Sequence, residues 1–150
     1  MLAVATRWLA DRSERTLLVA RHATRFAAGD SSFLPLDFDW RAEKFAGDVC
    51  AAVSANGPIQ TALLWLHDPE ALLDQLVICL SGARIVLVLG SMDGSPRIPD
   101  AKAELVTVRL GSKATPAGGR RWLMDQEISE GAIGALVDGR SRIIGDLAGI

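Results

Sequence analysis

The chain alternates between apolar residues at helical spacing and short unbroken apolar runs. Leu2, Ala5 and Leu9 share one helical stripe while Arg7, Asp11 and Arg12 lie largely off it, which predicts a helix packed on a sheet and stopping near Ser13. Residues 16–20 (TLLVA) form a continuous apolar run with polar flanks, the form of a parallel strand covered on both faces. A polar, arginine-rich connection is expected over 21–32. A strand over 33–38 then leads to Asp39, a suitable N-cap for a helix whose Phe45, Val49, Ala52 and Val53 share a face. Asn56, Gly57 and Pro58 stop that helix.

Residues 61–66 (TALLWL) read as the next strand, and His67-Asp68-Pro69 opens a helix with an N-cap aspartate and a proline in its first turn. That helix carries Leu72, Leu73, Leu76, Val77 and Leu80 and stops at Gly82. Residues 84–90 (RIVLVLG) are the most hydrophobic strand and are predicted to be central. A loop over 91–103 holds Gly94, Pro96 and Pro99, a strand spans 104–110, and 111–121 reads as a second, flexible loop. Asp125 caps a last helix bearing Ile128, Ala132 and Leu136, Gly139 ends it, and 142–147 (RIIGDL) closes as a strand. Strands alternating with helices predict an α/β fold, a doubly wound and mainly parallel sheet of about six strands with helices on both faces. In such sheets ligands sit beyond the carboxyl ends of the strands. The polar candidates at those ends are Arg21, Asp37 with Asp39, His67 with Asp68, and Ser91.

Composition narrows the classes. A length of 150 residues suits one domain, 1–150, with a core that needs no staples. The hydrophobic fraction of 49% and mean hydropathy of +0.24 are high, yet no apolar run approaches the ~18 residues of a membrane span, so doubly buried strands are expected and a membrane partner is not. Arg7, Asp11, Arg12, Glu14 and Arg15 interrupt the opening stretch, so a secretory signal is not expected and a cytoplasmic location follows by default. A formal charge of -2 and a pI near 5.6 argue against nucleic acid as the main partner. Cys50 and Cys79 fall in apolar helical patterns and read as small buried hydrophobes. With two histidines, His22 and His67, and no CxxC or HxxxH pattern, no metal site is expected.

The succession LLVAR, LPLDFD, ALLWLHDP, RIVLVLGS and RWLMDQEISEGAIGAL resembles short-chain dehydrogenase-like Rossmann proteins, particularly the short atypical ones, over nearly the whole chain in the order of its elements. The resemblance implies a Rossmann-like sheet and NADP as cofactor. It places Arg21 where an arginine accommodates the 2′-phosphate, with His22 and Arg25 adding positive charge. It sets Asp37 near the adenine, His67 toward the cofactor ribose, and Ser91 at the position of the family's catalytic serine, so that His67 and Ser91 become the catalytic candidates. Each position also has a plain structural reading: solvated loop charge for Arg21 and Arg25, a helix cap for Asp39, a loop carbonyl partner for His67. The family's serine works with a tyrosine and a lysine four residues on, and this chain has no tyrosine, so that proton relay cannot operate. Two functions are therefore expected: an NADP-binding protein, an oxidoreductase of unknown substrate if a glycine-rich turn lies upstream, or a non-catalytic Rossmann-fold binding or regulatory module that keeps the fold and has lost the chemistry and cofactor binding. Trp122 and Leu123 are expected to pack beneath the last helix, with the four tryptophans available as anchors for a homodimer. Residues 111–113 and 118–121 read as surface rather than as phosphate loops, because neither group opens a helix directly after a strand.

In the family a first strand and a glycine-rich turn precede the first helix, and Met1-Leu2-Ala3 is similar to the end of that turn. The resemblance thus implies a first strand and its glycines upstream of Met1, central in the sheet between the strands ending at Arg21 and His67. Four or five buried aliphatic side chains at ~1.5–3 kcal/mol each make such a strand worth on the order of 10 kcal/mol gross. Without it, the two flanking strands are expected either to pair directly or to leave the fold marginal.

Overall fold

The computed structural model describes residues 1–98 and 103–147. Its elements are, in order, α1 (Ala3–Ala10), β1 (Thr16–Ala20), α2 (Ala23–Ala27), β2 (Phe33–Asp37), α3 (Phe45–Asn56), β3 (Thr61–Trp65), α4 (Pro69–Leu76), a 3₁₀ turn (Val77–Cys79), β4 (Arg84–Leu89), β5 (Glu104–Leu110), β6 (Ser112–Ala114), β7 (Arg120–Trp122), α5 (Asp125–Asp138) and β8 (Arg142–Ile144). Helices alternate with strands, and the main sheet is parallel throughout in the order β3-β4-β5-β8.

The expected single sheet is divided. β1 pairs only with β2, in parallel, and neither joins the four-stranded sheet. β1 and β3, for which either direct pairing or a marginal fold was expected if no strand lay between them, stand in separate sheets. Helix α1 spans the gap. Its Ala5 belongs to the core of the main sheet, with Val86, Val88 and Ala132, while its Ala10 packs with Ala27 and Phe33 of the β1-β2 unit. α1 thus packs against both parallel units.

β4 shows why the apolar runs read as doubly covered strands. Ile85, Leu87 and Leu89 pack with Leu73, Leu76 and Leu80 on one face, and Val86 and Val88 pack with Ala5, Ala132 and Ala135 on the other. All five side chains are at most 1% exposed. Strand alternation sends each residue to the opposite face from its neighbour, so a strand with helices on both sides needs apolar residues at every position. β4 sits between β3 and β5, the central place its hydrophobicity predicts.

Several local expectations change. Residues 21–32 contain α2, a helix too short to show periodicity, which ends at Ala28 with φ 48° and Gly29 with φ 80°. A left-handed backbone is costly for any residue with a Cβ. Ala28→Gly is therefore expected to raise the unfolding free energy by about 0.5–1 kcal/mol, read as a higher urea midpoint at unchanged slope. Asp39 does not cap α3, which begins six residues later at Phe45 behind Lys44. Its carboxylate instead accepts from Arg41 N (3.0 Å), Nε (3.1 Å) and Nη2 (2.9 Å), and the Arg41 guanidinium holds that carboxyl down at about 2.

Residues 111–121 form the antiparallel hairpin β6–β7 rather than a flexible loop. Arg120 closes it by donating to Ser112 Oγ (2.7 Å) and to the Ser112 carbonyl (3.0 Å). Trp122 does not pack beneath α5: its side chain is 76% exposed. The N-cap of α5 is Met124 rather than Asp125, and Glu127 reaches back to accept from Met124 N at 2.7 Å. Arg121 and then Lys113 hold the Glu127 carboxyl well below the usual carboxylate range. Asp68 caps α4 as predicted, accepting from Ala71 N at 3.4 Å, with Pro69 in the first turn. Cys50 and Cys79 are half-buried rather than buried, and burial together with the Cys50 thiol pushes Cys79 up to about 12. The last strand stops at Ile144, where Gly145 takes φ 77°. Pro99 of the expected loop lies outside the described residues. No helix among the described residues is long and apolar enough to cross a membrane.

Candidate functional site

The division of the sheet leaves a cavity of about 1150 Å³ between β1 and β3. Every residue of both strands lines it, together with Leu2, Thr6 and Leu9 of α1 and its N-cap, and Phe45 and Val49 of α3. The two strands run in the same direction. At one end Arg15, just before β1, donates to Asn56 Oδ1 at the end of α3 (2.9 Å), a few residues before β3. At the other end Trp40, just after β2, stacks on His67, just after β3, with ring centroids 4.6 Å apart and an angle of 17°.

That second end, beyond the carboxyl ends of the strands, is the candidate site. It gathers Arg21, Phe38, Trp40, His67 and the start of α1. Phe38 N donates to the Ala20 carbonyl at 3.1 Å, which ties the end of β2 to the end of β1 and brings the following turn over the cavity. Within that turn the Asp39–Arg41 clasp fixes the backbone on either side of Trp40. α1 is set by Ser129 of α5, fully buried, which accepts from Ala5 N (3.2 Å) and donates to the Met1 carbonyl (3.4 Å). Ala5 N–H is one of the donors a helix cannot satisfy in its own first turn, so a hydroxyl from a neighbouring helix supplies what the uncapped Leu2 does not.

Of the residues singled out from sequence, Arg21 and His67 line this cavity together. Arg21 is exposed, feels Asp39 electrostatically, and donates no hydrogen bond to any described residue. His22, Arg25 and Asp37 lie outside the lining. His22 precedes α2 without a side-chain capping bond, and Arg25 is exposed in its last turn. Both Asp37 oxygens are engaged by Thr24, from N at 2.8 Å and Oγ1 at 2.7 Å, and those bonds hold its carboxyl below its ordinary value. Ser91 follows β4, half-buried, and is likewise outside the cavity. The loop after it is organised by Arg109, which donates to the carbonyls of Gly90 (3.0 Å), Asp93 (2.6 Å) and Gly94 (3.0 Å). Sequence reasoning missed Phe38 and Trp40; two aromatics directly after a strand end were the available signal.

A second concavity of about 550 Å³ opens at the opposite ends of the strands, around Gln60, Thr61, Arg84 and Glu104. Arg84 is spent there on Glu104 (2.9 Å) and the Leu136 carbonyl (3.3 Å). Among the described residues no group of three or more His, Cys, Asp or Glu side chains could hold a metal ion. The chemistry at the β1–β3 mouth, among the described residues, is therefore the Arg21 guanidinium on the same cavity as a stacked indole–imidazole pair. A guanidinium suits a phosphate and flat rings suit a heterocycle. Among the described residues that line this mouth, no nucleophile is hydrogen-bonded to a base. Compared with known proteins, the chain matches no family model, no curated protein and no solved structure.

Proposed function

We propose that this protein is a Rossmann-like nucleotide-binding module that takes NADP at the mouth between β1 and β3, on the plan of the short-chain dehydrogenase-like proteins its elements resemble. The observation that carries the reading is Arg21: an uncommitted guanidinium at the carboxyl end of a parallel strand, on the same cavity as the Trp40–His67 stack. Arg21 is the residue for the 2′-phosphate, with the exposed Arg25 adding to the local positive potential. Trp40 and His67 supply flat surface for a ring.

The fit is partial, and it separates binding from turnover. Among the described residues no glycine-rich turn joins a strand to a helix at this mouth, so the backbone cradle that holds a pyrophosphate in Rossmann proteins is missing. Asp37 is committed to Thr24, and the chain has no tyrosine. His67 lines the β1–β3 cavity and Ser91 does not, which weighs against their acting on one substrate there. A non-catalytic binding or regulatory role is favoured over oxidoreductase turnover on these grounds.

Titrating NADPH and NADH into the chain, followed by nucleotide fluorescence, tests the reading. NADPH is expected to bind more tightly than NADH, and Arg21→Ala to weaken NADPH by about tenfold or more while leaving NADH nearly unchanged, the effect of removing a charge-assisted hydrogen bond worth about 1.5–3 kcal/mol. Absence of binding to both nucleotides below millimolar concentration, or a preference that survives Arg21→Ala, overturns it.

A further inference from the structure

Two thiols meet where α3 packs on the end of α4. Ala46, Cys50 and Val53 stand at i, i+4 and i+7 of α3 and share one helical face, on which Ala46 and Val53 are buried. Cys79 closes the 3₁₀ turn that prolongs α4, and it packs against the same core that holds Ala46 and Leu80. α3 packs on both α4 and that turn. The two sulfurs consequently lie at successive carbonyls of one chain: Cys50 Sγ is 4.0 Å from the Gln75 carbonyl oxygen, and Cys79 Sγ donates to the Leu76 carbonyl at 3.2 Å. Successive carbonyls of a helical turn are only a few ångströms apart. The thiols act on each other directly, for burial and then the Cys50 thiol push Cys79 up to about 12. Both are free and half-buried, and their neighbours Gln75 and Ile78 are exposed, so a small reagent reaches them from solvent.

We propose that Cys50 and Cys79 form a modification site, a dithiol that closes reversibly into an intramolecular disulfide by exchange with a small-molecule disulfide. The chain has two cysteines, far apart in sequence and on different elements, and both come to this one spot. Packing alone asks only for small apolar side chains there and gives no reason for the two sulfurs to meet. Cys79, held protonated by its surroundings, does not open the exchange, and Cys50 takes that step as the thiolate. Cys50 Sγ attacks one sulfur of the small disulfide, a mixed disulfide forms at Cys50, and one small thiolate leaves. The Cys79 thiol then gives up its proton and attacks Cys50 Sγ, so that the Cys50–Cys79 bond forms as the mixed disulfide breaks and the second small thiolate leaves. Two electrons pass from the protein sulfurs to the small disulfide, and the two protons lost from the protein thiols end on the two small thiols. Excess small thiol reverses both steps. The bond closes a ring over residues 50–79, which contains β3 and α4, and joins α3 to the turn beyond α4. Phe45 and Val49 of α3 and Leu72 and Leu76 of α4 all line the β1–β3 cavity, so closure ties together two helices that shape it. The proposal rests on the meeting of the two thiols and not on nucleotide binding.

The test treats the folded 150-residue chain with oxidised glutathione and then with dithiothreitol, followed by intact mass, by peptide mapping without reduction, and by thermal melting. Glutathione disulfide is expected to remove two hydrogens from the chain, to yield a Cys50–Cys79 linked peptide, and to raise the thermal midpoint by roughly 5–10 °C, the effect of shortening the unfolded chain by a loop of this length. Dithiothreitol is expected to restore both mass and midpoint. Cys79→Ala, which lacks the closing thiol, is expected to stop with one glutathione on Cys50 and no linked peptide. Cys50→Ala is expected to take up glutathione at least about tenfold more slowly than Cys79→Ala. The unsubstituted chain decides the matter even where a variant folds poorly. A chain that keeps its mass, that halts at mixed disulfides, or that links only to other copies overturns the proposal. So does a midpoint that falls on closure, the sign of a bond forced on the fold.

Discussion

Replacing Leu87 by alanine is expected to destabilise the protein by about 3–4 kcal/mol, a large part of the ~5–15 kcal/mol that holds a domain of this size. Leu87 is 0% exposed, sits in the middle of β4, and is flanked in register by Leu64 of β3 and Thr107 of β5. Above it lie Leu73 and Leu76 of α4. Strand backbones fixed on both sides by ladder bonds cannot move in to fill a hole, so the substitution costs the lost transfer energy of the side chain and most of the cavity term as well. Urea denaturation checks it: the midpoint should fall with little change in slope. A loss below about 1 kcal/mol would mean that the α4 face of β4 is not closely packed.

Gly111→Ala is expected to cost about 3 kcal/mol, the upper part of the usual range for forcing an atom into filled space. A Cβ at Gly111 would stand 2.5 Å from the carbonyl oxygen of Asp146 and 2.7 Å from its carbonyl carbon. Both are backbone atoms, and they cannot retreat freely, because Ser112 N donates to the Asp146 carbonyl (3.0 Å), Asp146 N donates to the Ser112 carbonyl (2.8 Å), and Gly111 N donates to the Ile144 carbonyl (2.8 Å). Relief requires parting the β5–β6 corner from the end of β8. The expected signature is loss of exchange protection over residues 142–146 along with the fall in stability. Gly47→Ala, in α3 with open space around its Cβ, is the matched control and should be neutral or stabilising by up to about 1 kcal/mol.

How much of the site was legible follows from where each signal resides. Arg21 and His67 were found because a polar residue ending an apolar run is a local feature, and both do line the cavity. Asp37 was singled out on the same kind of feature and Arg25 through the resemblance alone, but α2, five residues long, lies between β1 and β2, holds Arg25, and claims Asp37 through Thr24. A helix that short shows no period. Trp40 went unnoticed because its role depends on a stacking partner twenty-seven positions away, His67, on another strand end. Trp122 was expected beneath α5, but it ends the hairpin strand β7 and its side chain is exposed.

The order and nature of the main elements followed from local chemistry: apolar runs bounded by turn residues, the Asp68–Pro69 helix start, the Gly139 stop, and the uninterrupted hydrophobicity that makes β4 central. Those signals act within a few residues, so they survive without knowledge of the rest of the chain. The division of the sheet did not follow from them. Ladder bonds are made by backbone groups that every residue carries alike, so TLLVA reads the same whether one of its edges is paired or open. Which edges meet is a matter of long-range packing: α1 joins Ser129 of α5 to the small core around Phe33, and β1 and β3, with Arg21 at the end of one, face a common cavity instead of each other's ladder.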